Sequence, residues 1–454
     1  MTTRKEKREM EKEMNFFFEF IRIQYHFFKD LKSKFKNIND PRAKGYITYG
    51  PEVLLFTLIM KQATGLESMR QMTDNFNTEE AIYNMSKFLG IELEDLPHYD
   101  TINNFLEKLD ITELESIRTY MIKELIKKRC LEAYRITENE VMGKKYWAII
   151  IDGTGLHTFH EKHCEHCLKR EYKDKTTGEV TSTVYMHHVL EAKLVIGEMV
   201  FSIASEFIEN ESETIKKQDC ELKAFYRLAA KIKADFPRLP ICILGDSIYA
   251  CENVFKECDK YKWKFLCRFK EGRIPTIAKE FEDCKQLEIE NVKKIEAPNE
   301  QTGTLYWINE IGYKKRTVNL LELELESEKT EGKKTQNYVF ITNFRITKNN
   351  VKALVASGRS RWKIENQGFN YQKTKQYHIE HLNSHNYKAM KNHYLLVQIT
   401  DILLQLYRNG LKILKKVKKT AKEKSSNLLE TFRRQPLTNE DLETLEKPIQ
   451  VRLF

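Results

Sequence analysis

Apolar positions recur at steps of three and four through "FFFEFIRIQYHFFKDLKSKF" and "GPEVLLFTLIMKQA", the spacing that lines one face of a helix. Asn39, Asp40 and Pro41 interrupt the pattern, and in "HYDTINNFLEKL" Asp100 or Thr101 is placed to cap the helix that follows. Residues 1–140 therefore read as several short helices, ending on the basic "IKELIKKRC". From Tyr146 the period changes. "YWAIIID" is β-branched and aromatic and closes on an acid before Gly153 and Gly155. "TSTVYMHHVLEAKLVIGEMVFSIASEFIEN" reads as two antiparallel strands turning at Gly197, and "SETIKKQDCELKAFYRLAAKIKADF" as a helix stopping before Pro237. "LPICILGDSIYA" is a short buried strand that again closes on an acid, Asp246. A helix through "CENVFKECDKY" and a strand through "KWKFLCRF" complete a β-β-β-α-β-α-β order.

Residues 271–335 differ in texture. "GTLYWINEIGY" and "RTVNLLELELE" are strand-like pieces between polar turns, the pattern of a β-rich insertion. "NYVFITNF" returns to strand, 348–376 to helix, and 386–420 to a long helix ending in "LKILKKVKKTAKEK". The pattern predicts an α/β protein in five parts. These are a helical region 1–140, a core in two pieces at 141–270 and 336–410, the β-rich insertion 271–335 between them, and a basic helical tail 411–454.

Composition narrows the classes. Hydrophobic residues make up 41% and charged residues 31%, a balance that excludes wholesale disorder. Lys and Arg number 76 against 66 Asp and Glu, and the net charge of +10 suits a polyanionic partner such as nucleic acid. The opening "MTTRKEKREMEKEM" lacks the apolar core of a signal peptide, and no uncharged apolar run reaches membrane-spanning length. Nine scattered cysteines then read as reduced thiols of a cytoplasmic protein with no membrane partner.

Three acids carry candidate chemistry. Asp152 and Asp246 close strands, and Glu365 lies in a helical pattern. Singly, a strand-closing Asp is a turn former and a helical Glu a solvated side chain. Together, three hard oxygen donors are what a pair of Mg²⁺ or Mn²⁺ ions requires, and two such ions suit in-line attack at a phosphodiester.

"IIIDGTGL" around Asp152, "ICILGDSIYA" around Asp246 and "SRWKIENQGFNYQK" around Glu365 resemble the motifs of bacterial insertion-sequence transposases of the DDE class, and "INDPRAKGYITYGPEVLLFTLIMKQATGLESMRQM" resembles the helical segment that precedes their cores. The resemblance implies an RNase H-like core, with a mixed five-stranded sheet and helices, split by a β-rich insertion between the second Asp and the Glu. It implies that Asp152, Asp246 and Glu365 bind two Mg²⁺ or Mn²⁺ ions, that water cleaves at the transposon end, and that the freed 3′-hydroxyl attacks target DNA. DNA is then the partner, as terminal inverted repeats and as target, engaged by a homodimer at the bacterial nucleoid.

In this group the Glu belongs to a Tyr, Arg, Glu, Lys signature. Arg361 and Glu365 match it, and Arg361 is implied to contact DNA phosphate. The Tyr position holds Gly358 and the Lys position Gln372, with Lys373 one step late. At about 100° per residue Gln372 nearly eclipses Glu365, while Lys373 stands about 80° away. Trp362 and Phe369 read as core packing. Two other readings stay open: an RNase H-like nuclease without strand transfer, and a catalytically silent DNA-binding protein derived from a transposase.

"GLHTFHEKHCEHCLKREYK" places His157, His160, His163 and His166 at steps of three around Cys164 and Cys167. Cys164, Cys167, His160 and His163 could ligate Zn²⁺; alternatively these are loop residues or DNA-contacting histidines. Lys169, Arg170 and Lys173 are placed to line a DNA channel. One of His187 and His188 must face inward from their strand. Asp219 and Glu221 read as favouring a helix dipole, and the lysines of 412–424 as a phosphate-tracking surface or a solvated helix end.

Overall fold

The computed structural model describes residues 14–138, 143–210, 217–297, 301–329, 332–410, 414, 419–445, 447, 449 and 451. The protein is mixed α/β with a large mixed sheet, and it divides into two compact units. One comprises Met1–Arg129, Leu156–Phe159 and Gly368–Phe454; the other comprises Cys130–Gly155 and His160–Gln367.

The first unit is helical. It begins with α1 (Phe16–Phe27), α2 (Leu31–Lys36) and α3 (Pro51–Ala63). Next come α4 (Met69–Phe76), α5 (Glu79–Leu89), α6 (Tyr99–Lys108) and α7 (Ile111–Ile126). Every residue of α3 is buried, as expected of a helix apolar on most sides. Ser68 and Gln71 form a capping box on α4, and Gly90 ends α5 in the left-handed region at φ 69°. Helix α6 starts ahead of the expected Asp100 or Thr101, because His98 is the cap: its Nδ1 accepts from the Asp100 amide at 3.3 Å.

Later in the chain, α12 (Tyr387–Gly410) packs on α1, α3, α6 and α7. Helix α13 (Ala421–Arg434) returns to α1 and α5. Its Phe432 is fully buried, with ring centroids 5.0 Å from Phe17 and 5.1 Å from Phe76. The segment expected as a basic tail thus joins the core of this unit. Lys412, Lys415, Lys416 and Lys418 lie outside the described residues.

The second unit is built on the sheet. Its strands, in chain order, are β1 (Ile136–Thr137), β2 (Lys145–Phe159), β3 (Leu168–Lys173), β4 (Val180–Ile196), β5 (Met199–Ile208), β6 (Ile241–Gly245) and β7 (Lys264–Arg268). Then follow β8 (Val292–Ala297), β9 (Gln301–Tyr313), β10 (Arg316–Lys329) and β11 (Gly332–Thr342). The order is β3-β4-β2-β6-β7-β11-β10-β9-β8, with β5 also on β4 and β1 on β2. The long β4 pairs antiparallel with β3 through its first half and with β5 through its second. Gly197, at φ 58°, makes the tight β4–β5 turn. Strands β6 and β7 run parallel to β2 and to each other.

Helix α8 (Glu221–Asp235) packs on β4 and β5, and α9 (Glu252–Tyr261) on β7. The β-β-β-α-β-α-β order therefore holds over β2, β4, β5, α8, β6, α9 and β7. The short β3 was not foreseen; its six residues are mostly exposed and polar, so no apolar alternation marks it. The expected insertion opens with an unforeseen helix, α10 (Pro275–Leu287). Its strands do not stand apart: β11 adds antiparallel to the free edge of β7, and β10, β9 and β8 continue the same sheet as a meander. Helix α11 (Val351–Arg359) lies on β7, β9 and β10 and leads into a π-helical segment, Ile364–Phe369.

Candidate active site

Two of the three acids meet across parallel strands. Ile150 of β2 pairs with Leu244 of β6, so Asp152 and Asp246 each follow that pair by two residues, at matching points of neighbouring strands. Asp152 Oδ1 accepts from the Gly153 amide at 3.1 Å, and its Oδ2 accepts from Arg361 Nη1 at 3.1 Å. Asp246 caps a short turn, its Oδ1 accepting from the Ile248 amide at 2.8 Å.

A further acid, which the sequence marks only as a helix-dipole residue, lies near these two. Glu221 opens α8, and its Oε1 accepts from the Tyr249 hydroxyl at 2.8 Å. Gly153 lets it come close: a Cβ there would sit 3.1 Å from Glu221 Oε1. Burial pushes the Asp152 carboxyl up to about 6; Arg361 opposes this, while the charges of Glu221 and Asp246 add to it. Glu221 is raised as well, chiefly by burial, with Tyr249's hydrogen bond pulling down and Asp246 pushing up. No motif in the sequence singles out Glu221; only the folding of α8 over β4 and β5 reveals it.

Glu365 stands differently. It is exposed in the π-helical segment. Among the described residues, neither Asp152, Asp246 and Glu365 nor Asp152, Asp246 and Glu221 form a group whose donor atoms all lie within 4.8 Å of one another. The α-helical phasing expected for the signature also fails. A second π-helical segment, Tyr371–Gln376, follows, and a π turn holds more residues than an α turn, so the phase drifts. Gln372 is consequently fully buried, donating to Gln398 Oε1 and Asp401 Oδ2 at 3.0 Å each. Lys373, in the helical unit, pairs with Glu380 at 2.9 Å. At Gly358 a Cβ would meet Phe340 Cε1 at 2.6 Å, which leaves no room for the signature Tyr. Phe369 is core, as expected, but Trp362 is 46% exposed.

Trp362 borders a cleft of about 440 Å³ that also holds Asp246. Arg268, Lys270, Arg359 and Arg361 line it, over a floor of Tyr338 and Phe340. The Arg268 guanidinium lies 5.1 Å from the Tyr338 ring centroid and 5.6 Å from that of Phe340, and that of Arg359 lies 4.9 Å from Tyr338. Two of the four cations thus lie on aromatic rings, and all four line the cleft beside Asp246. Sequence reading missed Arg268, Lys270 and Arg359, because cations at strand and helix ends look like ordinary surface until β11 and α11 bring them together.

Lys169 and Arg170 lie exposed on β3; Lys169 pairs with Glu171 at 2.6 Å, and Arg170 stacks 5.1 Å over Tyr172. Among the four residues considered for zinc, Cys164 and Cys167 come together with their sulfurs 3.6 Å apart. Their third neighbour is His187, with Nε2 3.1 Å from Cys164 Sγ and 3.3 Å from Cys167 Sγ. His187 faces inward from β4, while His188 is only half-buried. His163 has its ring centroid 6.0 Å from that of His187; His160 is exposed and outside this group.

A family model described as DDE_Tnp_1-associated matches residues 32–121. That segment is found in DDE transposases, which relates the chain to them through α2 to α7 and leaves the acids outside the match. No curated protein matches the chain. Among the described residues, no helix is long and apolar enough to cross a membrane.

Proposed function

We propose that the protein is the DNA transposase of an insertion sequence, with an RNase H-like core over β5-β4-β2-β6-β7. The observation that carries this reading is the placement of Asp152 and Asp246 at matched points of adjacent parallel strands, beside a cation-lined cleft. The transposase-associated match over 32–121 supports it from a separate part of the chain.

The donor set fits hard divalent cations: neighbouring, half-buried carboxylates, with Asp152 raised chiefly by burial and further by the charges of Glu221 and Asp246. Asp152 and Asp246, with Glu365 by the signature, would hold Mg²⁺ or Mn²⁺, two ions in all; Glu221 adds a further carboxylate beside them. When bound, such ions sharpen a water for attack on phosphorus and stabilise the leaving oxygen. The chain's own part is to bind and orient. Arg268, Lys270, Arg359 and Arg361 hold backbone phosphates, and Trp362 offers an apolar face to a base or sugar at the rim. Hydrolysis leaves a 3′-hydroxyl on the element's end, whose attack on a target phosphodiester joins the strands. No covalent enzyme intermediate is needed, so no Ser, Tyr or Cys nucleophile is assigned. Residues 1–140 grip DNA in this reading, a homodimer pairs two ends, and the work is done at the bacterial nucleoid.

The exposed Glu365 and the glycine at 358 favour one rival, a DNA-binding protein derived from a transposase that no longer cuts. The deciding experiment uses duplexes taken from the DNA flanking the gene, where this reading expects terminal inverted repeats. Mg²⁺-dependent nicking at a repeat end, abolished in Asp246→Ala with DNA binding retained, supports a nuclease. Joining of a precut end to target DNA then supports transposition over plain cleavage. DNA binding without any metal-dependent nicking overturns the proposal in favour of the rival.

A further inference from the structure

We propose that Cys164, Cys167, His187 and His163 bind one structural zinc ion. Three donors are already gathered. The Cys164 and Cys167 sulfurs stand 3.6 Å apart, and His187 Nε2 is 3.1 Å and 3.3 Å from them. These are the only groups of this kind among the described residues whose donor atoms all lie within 4.8 Å of one another. Tetrahedral zinc with Zn–S near 2.3 Å and Zn–N near 2.0 Å requires about 3.8 Å between sulfurs and about 3.5 Å between sulfur and nitrogen. Each pair therefore needs to open by only a few tenths of an ångström to admit the ion.

Two thiolates and an imidazole are a soft set that selects zinc over the hard dications of the carboxylate cluster. His163, one residue before Cys164, stands outside the gathered three with its ring 6.0 Å from that of His187, about 1 Å farther than two imidazoles on one tetrahedral ion, so its side chain would swing inward to become the fourth ligand. Binding by two thiolates and two neutral imidazoles releases two thiol protons and leaves the centre uncharged, which suits a site where Cys167 and His187 are 3% and 2% exposed.

The surroundings show what the ion would secure. Asn210, after β5, donates from Nδ2 to the Cys167 carbonyl at 2.8 Å, and its own carbonyl lies 3.0 Å from His166 Nδ1. Its Oδ1 accepts from the Asp219 amide at 3.3 Å, two residues before Glu221 opens α8. Zinc would therefore tie the turn between β2 and β3 to β4, and through Asn210 to the entry of the helix that brings Glu221 beside Asp152. The proposal does not depend on the reaction assigned above.

Full-length protein expressed with zinc and desalted should carry one zinc per chain by elemental analysis. After chelator stripping, Co²⁺ should give the visible ligand-field bands of a tetrahedral site and thiolate-to-cobalt charge transfer in the near ultraviolet. Cys164→Ser and His187→Ala should lose the metal, His163→Ala should weaken it at least tenfold, and His160→Ala should leave stoichiometry unchanged. If a variant fails to fold, the Co²⁺ spectrum of the wild type still decides. Wild type without zinc and without a charge-transfer band overturns the proposal, as does a mass showing Cys164 and Cys167 oxidised to a disulfide. Retention by His187→Ala together with loss by His160→Ala overturns the ligand assignment.

Discussion

Arg361 Nη1 donates to Asp152 Oδ2 at 3.1 Å, across a bond that joins the middle of β2 to the chain just after α11. Under the proposed function this pair would couple anion binding to cation binding. Arg361 also lines the cleft, so a phosphate that draws its guanidinium away leaves Asp152 with like-charged neighbours. A cation at Asp152 would in turn release Arg361 for phosphate. Each ligand should therefore favour the other, as reciprocal linkage requires.

The acid cluster should register in stability against pH. Asp152 is raised from 3.8 to about 6, so its protonated form is the stabilising one; that contribution is complete below about pH 4 and is lost as pH rises through 6. Asp152→Asn keeps the side chain's shape without the charge. With chelator present it should melt a few degrees above wild type at pH 7.5, roughly 1–3 kcal/mol, and show no gain at pH 4. Equal melting at both pH values would show that Asp152 carries no burial penalty.

Gly358 should resist restoration of the signature Tyr. Even a Cβ at this position would lie 2.6 Å from the Phe340 ring, and Phe340 is 2% exposed between β11 and α11. Gly358→Tyr should lower the melting temperature by several degrees, an overpacking cost of roughly 1–3 kcal/mol or more. Adding Phe340→Ala should recover part of the loss. A Gly358→Tyr protein as stable as wild type would mean that the helix slides freely on the sheet.

The parts of the fold legible in the sequence are continuous β-branched and apolar runs, buried along most of their length, and helices with one apolar face. Strands β2, β4, β5, β6 and β7 and helices α8 and α9 carry that signal; Asp246 closes its strand as expected, whereas Asp152 does not, because β2 runs on to Phe159. What escaped has physical causes. Strand β3 is polar on both faces. Helix α6 uses a His as its cap, a residue outside the usual Ser, Thr, Asp and Asn set. The π-helical winding after Arg361 cannot be read from residue spacing, and it separates Gln372 from the face assigned to it. Glu221 and the cleft cations are a tertiary product: nothing local distinguishes Arg359 from any other helix-end arginine.

In the helical unit, Lys61 sets a second pH dependence of opposite sense. It is 2% exposed on α3, and its Nζ donates to the Glu67 carbonyl at 2.7 Å. Burial lowers it from 10.5 to about 7, with Glu67 only partly opposing. Between those values the unfolded chain holds the extra proton, so stability from this residue rises with pH from about 7 to about 10.5. Lys61→Met should therefore stabilise the protein at pH 6, with the gain shrinking by pH 10, as followed by denaturant titration. A gain that is constant with pH would place the amine in water.

The cleft and the β3 hairpin make competing predictions for DNA. Lys169 was placed in the DNA channel from sequence, yet its charge is spent on Glu171 at 2.6 Å. Arg359 instead faces the cleft over Tyr338, together with Arg268, Lys270 and Arg361. If a phosphate sits in that cleft, Arg359→Ala should weaken binding to all duplex sequences alike. It should also reduce the slope of log K against log salt by about one, the signature of one lost phosphate contact. Lys169→Ala should change the slope by much less, since releasing Glu171 partly offsets the lost cation. Affinity measured by fluorescence anisotropy at several salt concentrations separates the two. A larger slope change for Lys169→Ala than for Arg359→Ala would put the DNA path over β3 and remove the cleft from the proposed mechanism.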